Sequence, residues 1–153
     1  MSTLTLDEIK SAQQRINAMI AAFEAQAASP YHFPEATIEL APGEHYAGIV
    51  LGKDGKASYH LVLLPHTPDE RLTWNAAVEW AKITGGNLPT RREQSLLFAN
   101  LKEEFEGDWY WSGEQHAATS GSAWSQSFVN GGQDYYYKSY EGRARAVRRL
   151  TIE

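Results

Sequence analysis

The eighteen residues from Ala123 to Tyr140, AWSQSFVNGGQDYYYKSY, restrict the fold more than any other stretch of the chain. Asn130-Gly131-Gly132 is a turn signal, and short aromatic runs flank it. The spacing predicts two strands, Ala123–Val129 and Tyr135–Tyr140. Side chains alternate between faces along a strand, so Tyr135, Tyr136 and Tyr137 cannot all point inward. Either Tyr136 or the Tyr135/Tyr137 pair faces out, and Tyr140 shares the parity of Tyr136. The segment therefore either covers its own sheet with aromatics or forms a binding surface. Tyrosine offers a large contact area with few rotors and a polar tip, while Ser and Asn add adaptable hydrogen bonding. That mixture is typical of paratope-like surfaces. The binding reading assigns ligand contacts to Trp124, Gln126, Phe128, Asn130, Gln133, Asp134, Tyr135, Tyr136, Tyr137 and Tyr140.

Upstream the periodicity is helical. Thr5-Leu6-Asp7-Glu8 has capping-box spacing and opens a helix reaching about Ala28. Ile9, Ile16 and Phe23 recur every seven residues, with Ala12 and Met19 interleaved, which makes an a/d seam of about two heptads. Such a seam either packs on the domain or self-associates, and self-association assigns Ile9, Ala12, Ile16, Met19 and Phe23 to a homo-oligomer contact. Ser29-Pro30 begins a break. Ala36–Ala41 reads as a short strand and Pro42-Gly43 as a turn. His45–Gly52 and Ser58–Leu64 read as strands joined through Asp54-Gly55, a strong hairpin signal. The second is apolar almost throughout, as in a strand buried on both faces. Thr73 caps a helix from Trp74 to about Thr84, with Trp74, Ala77, Val78 and Ala81 on one face and Gly85-Gly86 ending it. Thr90-Arg91-Arg92-Glu93 is a second capping box, opening a helix to about Lys102. After Gly107 the texture is strand-like, with Trp109–Ser112 and Ala144–Leu150 as further strands. The order is that of an α+β fold. Three regions are expected: an amphipathic helix over 1–29, a linker and hairpin extension over 30–72, and a domain over 73–153.

Composition excludes several functions. The chain has 153 residues, no cysteine and a net charge of −5. Without cysteine there is no disulfide, thiolate metal site or cysteine nucleophile. The acidic balance argues against nucleic-acid binding. No apolar run approaches the eighteen residues of a membrane span, so no membrane partner is expected. The first residues lack a basic n-region followed by an apolar stretch, so no signal peptide is expected. Synthesis in the cytoplasm follows, with a virion as the other location. From Lys138 onward the charge is basic, through Arg143, Arg145, Arg148 and Arg149. Those residues form either a basic patch or pairs with acidic groups elsewhere, and pairing is the commoner arrangement.

Catalytic patterns are sparse. His32, His45, His60, His66 and His116 form no HExxH and no helical pair, and His60 reads as a hydrogen-bonded core histidine. No metal or cofactor is expected. Ser112-Gly113-Glu114 does not match a nucleophile elbow, and no phosphate-binding glycine loop is present. Asp54-Gly55 shares only a dipeptide with a calcium loop.

Several short motifs form a set: Leu88-Pro89-Thr90-Arg91-Arg92-Glu93, then Trp109-Tyr110-Trp111-Ser112 with Glu114, then Ala123-Trp124, then Arg143-Ala144-Arg145-Ala146-Val147-Arg148-Arg149. Their order and spacing resemble the DUF1566 family, the C-terminal domain type of the Legionella collagen-like adhesin, whose close relatives look like prophage proteins. The resemblance spans roughly Thr73 to Leu150. It implies a C-type-lectin-like fold, with two helices flanking a small twisted, mainly antiparallel sheet. It also implies that Trp109 and Trp111 are packing residues. In retroelement-diversified lectin-fold proteins, variable side chains sit where Trp124–Tyr140 lies here. The calcium-lectin triplets are absent, since Trp74-Asn75 is followed by Ala76. The cysteines of the formylglycine-generating enzyme and the iron-binding histidines of ergothioneine-type relatives are missing too. The expectation is a non-enzymatic, metal-free binder of a protein or glycan. Its alternatives are an intracellular inhibitor that binds a host protein and an enzyme of the lectin-fold superfamily.

Overall fold

A computed structural model describes residues 3–26 and 31–153. The end of the first helix at Ala27–Ala28 and the break at Ser29-Pro30 lie outside the described residues. Helix α1 runs Leu6–Gln26. The Thr5 hydroxyl accepts from the Glu8 N–H (3.2 Å), and a Glu8 carboxylate oxygen accepts from the Thr5 N–H (2.7 Å). These bonds satisfy two of the donors that a helix start leaves free. No described residue of α1 is buried. Ile9, Ile16, Met19 and Phe23 are exposed by half or more, and Ala12 is half-buried.

Residues Ala36–Glu153 make one compact unit. Ala36–Ala41 does not form the expected strand. Among the described residues no ladder partner pairs with it, and Pro42-Gly43 turns the chain before β1 (His45–Val50) begins. β1 pairs antiparallel with β2 (Tyr59–Leu63). In the loop between them Asp54 and Gly55 both have positive φ (55° and 80°), the geometry that makes Asp-Gly a hairpin dipeptide. Next come α2 (Trp74–Ile83), α3 (Arg91–Leu101) and a 3₁₀ turn over Lys102–Glu104. The Thr90–Glu93 capping box at the start of α3 is formed on both sides. Four strands complete the unit: β3 (Trp109–Gln115), β4 (Ser122–Ser127), β5 (Gln133–Tyr137) and β6 (Val147–Thr151).

The fold is α+β, and its strands divide into two antiparallel sheets of order β1-β2-β6 and β3-β4-β5. The sequence reading expects one small sheet preceded by a separate hairpin. The split arises at Gly142–Ala146, where the chain touches β3 by a single parallel bridge, Tyr110–Arg143, before pairing fully with β2. The expected boundary between an extension and a domain at residue 72 is therefore corrected. β2 is the central strand of the first sheet, and its partner β6 comes from the far end of the chain.

That position explains the unbroken apolar run: Leu61, Val62 and Leu63 are fully buried. His60, read as a core histidine, is half-buried, and its Nδ1 lies 2.8 Å from the Tyr46 hydroxyl. Helix α3 contacts β1 of one sheet and β3 and β4 of the other. Leu61, Leu63, Leu97, Tyr110, Phe128 and Val147 pack together in the main core, so both sheets and α3 share it. A second cluster seats Ala77 and Ala81 of α2 against Trp111, Ala123 and Ala144. Trp111 is buried as expected, and its indole N–H donates to the Leu72 carbonyl (2.8 Å).

The C-terminal arginines are mostly paired. Arg148 binds Glu44 bidentately (2.9 and 3.0 Å), Arg149 binds Glu93 (2.6 and 2.7 Å), and Arg143 binds Asp108 (2.9 Å). Arg145 is buried and donates to the Leu64 and Glu104 carbonyls.

Candidate ligand-binding face

Strand β4 sets the two sides of the second sheet. Trp124 opposes Tyr135 and Gln126 opposes Gln133, whereas Ala123 opposes Tyr136. Because side chains alternate, Gln133, Tyr135 and Tyr137 share the side of Trp124, while Asp134 and Tyr136 lie on the other.

The Trp124 side begins as a buried run of amides. Gln94 of α3 and Gln126 are both fully buried. Gln94 Nε2 donates to the Tyr110 carbonyl (3.0 Å), and Gln126 Nε2 donates to the Gln94 carbonyl (2.9 Å). Gln133 Nε2 donates to Gln126 Oε1 and to the Arg91 carbonyl, each at 2.8 Å. A buried amide is costly unless bonded, so these contacts fix α3 on the sheet in one register. Gln133 Oε1 also accepts from Arg91 Nε (3.0 Å), and Glu114 Oε2 accepts from the Arg91 backbone N–H (2.6 Å). Held this way, the Arg91 guanidinium lies 3.5 Å from the centroid of the Trp124 ring, a cation–π contact.

Beyond Trp124 the surface opens. Tyr135 meets Trp124 edge-on with centroids 5.5 Å apart, and His116 packs against Tyr135 at 4.1 Å. His116 Nδ1 accepts from the Thr119 N–H (3.1 Å), which anchors the imidazole to the turn after β3. Tyr135 is 46% exposed and Tyr137 73%. Tyr135 thus stands on a row of side chains whose positions are already determined, and Tyr137 is exposed beside it on the same side of the strand.

The other side differs. Tyr136 is half-buried, edge-on to Trp109 (5.3 Å) and stacked with exposed Tyr140 (5.4 Å). Asp108 beside them pairs with Arg71 and Arg143. Burial pushes its carboxyl up, but the two guanidiniums and the Trp109 N–H outweigh burial and hold it below the usual carboxylate range. The hollow here is about 50 Å³, far below the several hundred Å³ of typical small-molecule sites. A larger cleft of about 360 Å³ is lined by Arg71, Arg143 and Arg145 and also by Asp69, Glu70, Glu104 and Glu106, so its charges are mixed and nearly balanced. Among the described residues, no three His, Asp or Glu side chains gather as a metal site would require.

The expected contact residues therefore separate. Trp124, Tyr135 and Tyr137 come together on one side, and Tyr136 and Tyr140 on the other. Asn130 and Asp134 are exposed, and each spends an oxygen on local backbone, at the Gly132 N–H (2.9 Å) and the Tyr135 N–H (2.8 Å). Gln126 and Phe128 are corrections. Strand parity puts Gln126 under α3, and Phe128, just past the end of β4, turns into the core and stacks on Phe105 at 3.9 Å. Gln133 is half-buried and positions Arg91. Sequence reasoning did not find Arg91, Glu114 or His116 as part of this surface. Arg91 carried one signal, its place just after the helix cap.

No family model matches the chain, and no curated protein matches it.

Proposed function

We propose that the chain is a non-enzymatic binding protein of phage or prophage type. It recognises a protein or glycan, without a metal, through Tyr135 and Tyr137 flanked by Trp124, His116 and Arg91. The observation that carries this reading is pre-organisation. Exposed Tyr135 packs on an aromatic and cationic row held by buried amides, with exposed Tyr137 on the same side, so little freedom is lost on binding at Tyr135. The DUF1566 resemblance and the α+β order support a C-type-lectin-like domain as the scaffold. The exposed α1 seam of Ile9, Ala12, Ile16, Met19 and Phe23 supports a homo-oligomer that multiplies weak contacts into avidity.

The test compares capture from cell-surface fractions and glycan arrays by the wild type, a Tyr135→Ser/Tyr137→Ser variant and a Tyr136→Ser variant. Loss of a ligand with the double variant alone supports the face. Equal capture by all three, or capture by none, overturns it. For the oligomer, Ile16→Asp/Met19→Asp lowers the sedimenting mass, and an unchanged mass removes that role from α1.

A further inference from the structure

The cleft beside the loop after β2 borders a cation with no counter-charge. Its lining comes from residues 67–71 of that loop, from Glu104 and Glu106, and from Tyr110 and residues 143–145. The volume, about 360 Å³, suits a small molecule. Arg71 and Arg143 both engage Asp108. Arg145 engages no carboxylate among the described residues, although it is only 5% exposed. Its partners are neutral: Nη1 donates to the Glu104 carbonyl (2.5 Å) and Nη2 to the Leu64 carbonyl (2.9 Å). Nε is buried without a partner, and each Nη carries a second N–H.

A guanidinium keeps its proton in a protein, so the charge persists. Burial pulls the Arg145 group down from its ordinary value, against the opposing pull of Tyr110 and Glu104. Charges at this depth are normally paired, as Arg149 is with Glu93. Glu104 does not close the gap, because its carboxylate lies 3.3 Å from His45 Nε2 and forms no pair with Arg145. A second donor borders the same cleft. The Tyr110 hydroxyl accepts from the Glu106 N–H (2.9 Å), which leaves its own proton to donate.

The rim has the opposite sign. Asp69, Glu70 and Glu106 are exposed and form no ion pair among the described residues. A simple anion would gain Arg145 but be repelled by the rim, and a simple cation would meet the reverse. A ligand that carries both charges satisfies both. We propose that this cleft binds a free amino acid, with its carboxylate on Arg145 and the Tyr110 hydroxyl and its ammonium toward Glu70 and Glu106. The planar guanidinium matches a carboxylate in shape as well as charge. The inference does not rest on the Tyr135 face, which shares none of these residues.

The test is calorimetric titration of the full-length protein with the common L-amino acids, and with acetate and methylammonium as the two separate halves. At least one amino acid is expected to bind, with acetate and methylammonium each weaker by about ten-fold or more. Glu70→Gln/Glu106→Gln changes exposed positions only, so the melt stays as in wild type and affinity falls about ten-fold. Arg145→Gln abolishes binding. Because Arg145 also ties two carbonyls, Tyr110→Phe is the second variant at the carboxylate end, and it weakens binding while its melt confirms folding. No amino acid bound at millimolar concentration, acetate matching the amino acids, or a rim double variant of unchanged affinity would each overturn the proposal. So would a folded Arg145→Gln or Tyr110→Phe protein that binds as tightly as wild type.

Discussion

The two sheets are about equally buried at their centres and are built from opposite chemistry. The middle of β2 is Leu61-Val62-Leu63, and the middle of β4 is Ser125-Gln126-Ser127, yet each of the six residues is 5% exposed or less. The first sheet is held by apolar area, at roughly 25 cal/mol for each Å² removed from water. The second is held by hydrogen bonds that contribute only about 0.5–1.5 kcal/mol each but cost more when orphaned. Area is indifferent to register, whereas an amide run is not. A slip of one residue would exchange Tyr135 and Tyr137 for Tyr136 on the outer face. The polar strand is thus the one whose neighbour presents a surface, and the apolar strand supplies the stability that lets it do so.

Breaking the core that joins the sheets has the largest effect. Phe128 stacks on Phe105 and meets Tyr110 and Phe98 edge-on. Phe128→Ala should destabilise by about 3–5 kcal/mol in urea titration, and a change below about 1 kcal/mol would contradict its place in the shared core. The next effect belongs to the tie between α3 and β6. Buried Glu93 receives Arg149, the Tyr59 hydroxyl and the Thr90 N–H. Glu93→Gln should cost about 3 kcal/mol, the low end for a broken buried pair because Arg149 is partly exposed. Burial raises the Glu93 carboxyl, but the Arg149, Tyr59 and Thr90 bonds outweigh burial and hold it below the ordinary 4.5. A depressed folded-state value gives stability that is present above 4.5 and lost as pH falls through the folded value. Wild type should therefore weaken under acid more steeply than Glu93→Gln, read as the urea midpoint against pH. In the opposite direction, burial first and then the Glu93 bond push the Tyr59 hydroxyl up to about 12. The stability it contributes is complete below 10 and lost as pH rises toward 12.

Much of the fold was legible because its signals are local. Both complete capping boxes, the Asp54-Gly55 turn and the apolar β2 run each follow from a few adjacent residues and appear where expected. The pairing of β2 with β6 joins residues some ninety positions apart and left no local trace. That is why residues 30–72 read as an extension. At the candidate face, alternation limited the outward set to Tyr136 or the Tyr135/Tyr137 pair, and packing of Tyr136 on Trp109 decided for the pair. Gln126 was misread for a physical reason. An amide looks like a surface residue until α3 supplies the carbonyl that satisfies it. Arg91 reaches Trp124 across thirty-three positions, a convergence that side-chain type alone does not announce.

Gln126→Leu sharpens the contrast between the sheets. It removes the Gln133 acceptor and the bond to α3 while keeping similar volume. The expected loss is about 1–3 kcal/mol, typical of orphaned buried partners. Ligand capture should fall as well, because Gln133 then no longer holds Arg91 on Trp124. Wild-type stability together with wild-type capture would show that the amide run does not position the face.

The smallest stability effect belongs to the residue with the largest predicted effect on binding. Tyr137 is 73% exposed, and no ring contact fixes it. Tyr137→Ser should shift stability by no more than about 0.5 kcal/mol, as for other open surface sites. Tyr136→Ser removes a half-buried ring from between Trp109 and Tyr140, so it should cost more, about 1–2 kcal/mol. The two substitutions are identical in chemistry and adjacent in sequence, and differ only in which side of β5 they occupy. If Tyr137→Ser is the more destabilising of the two in thermal melts, the outer face is structural and the tyrosines do not form a binding surface. If it leaves the melt unchanged and abolishes capture, strand parity alone has separated the two roles.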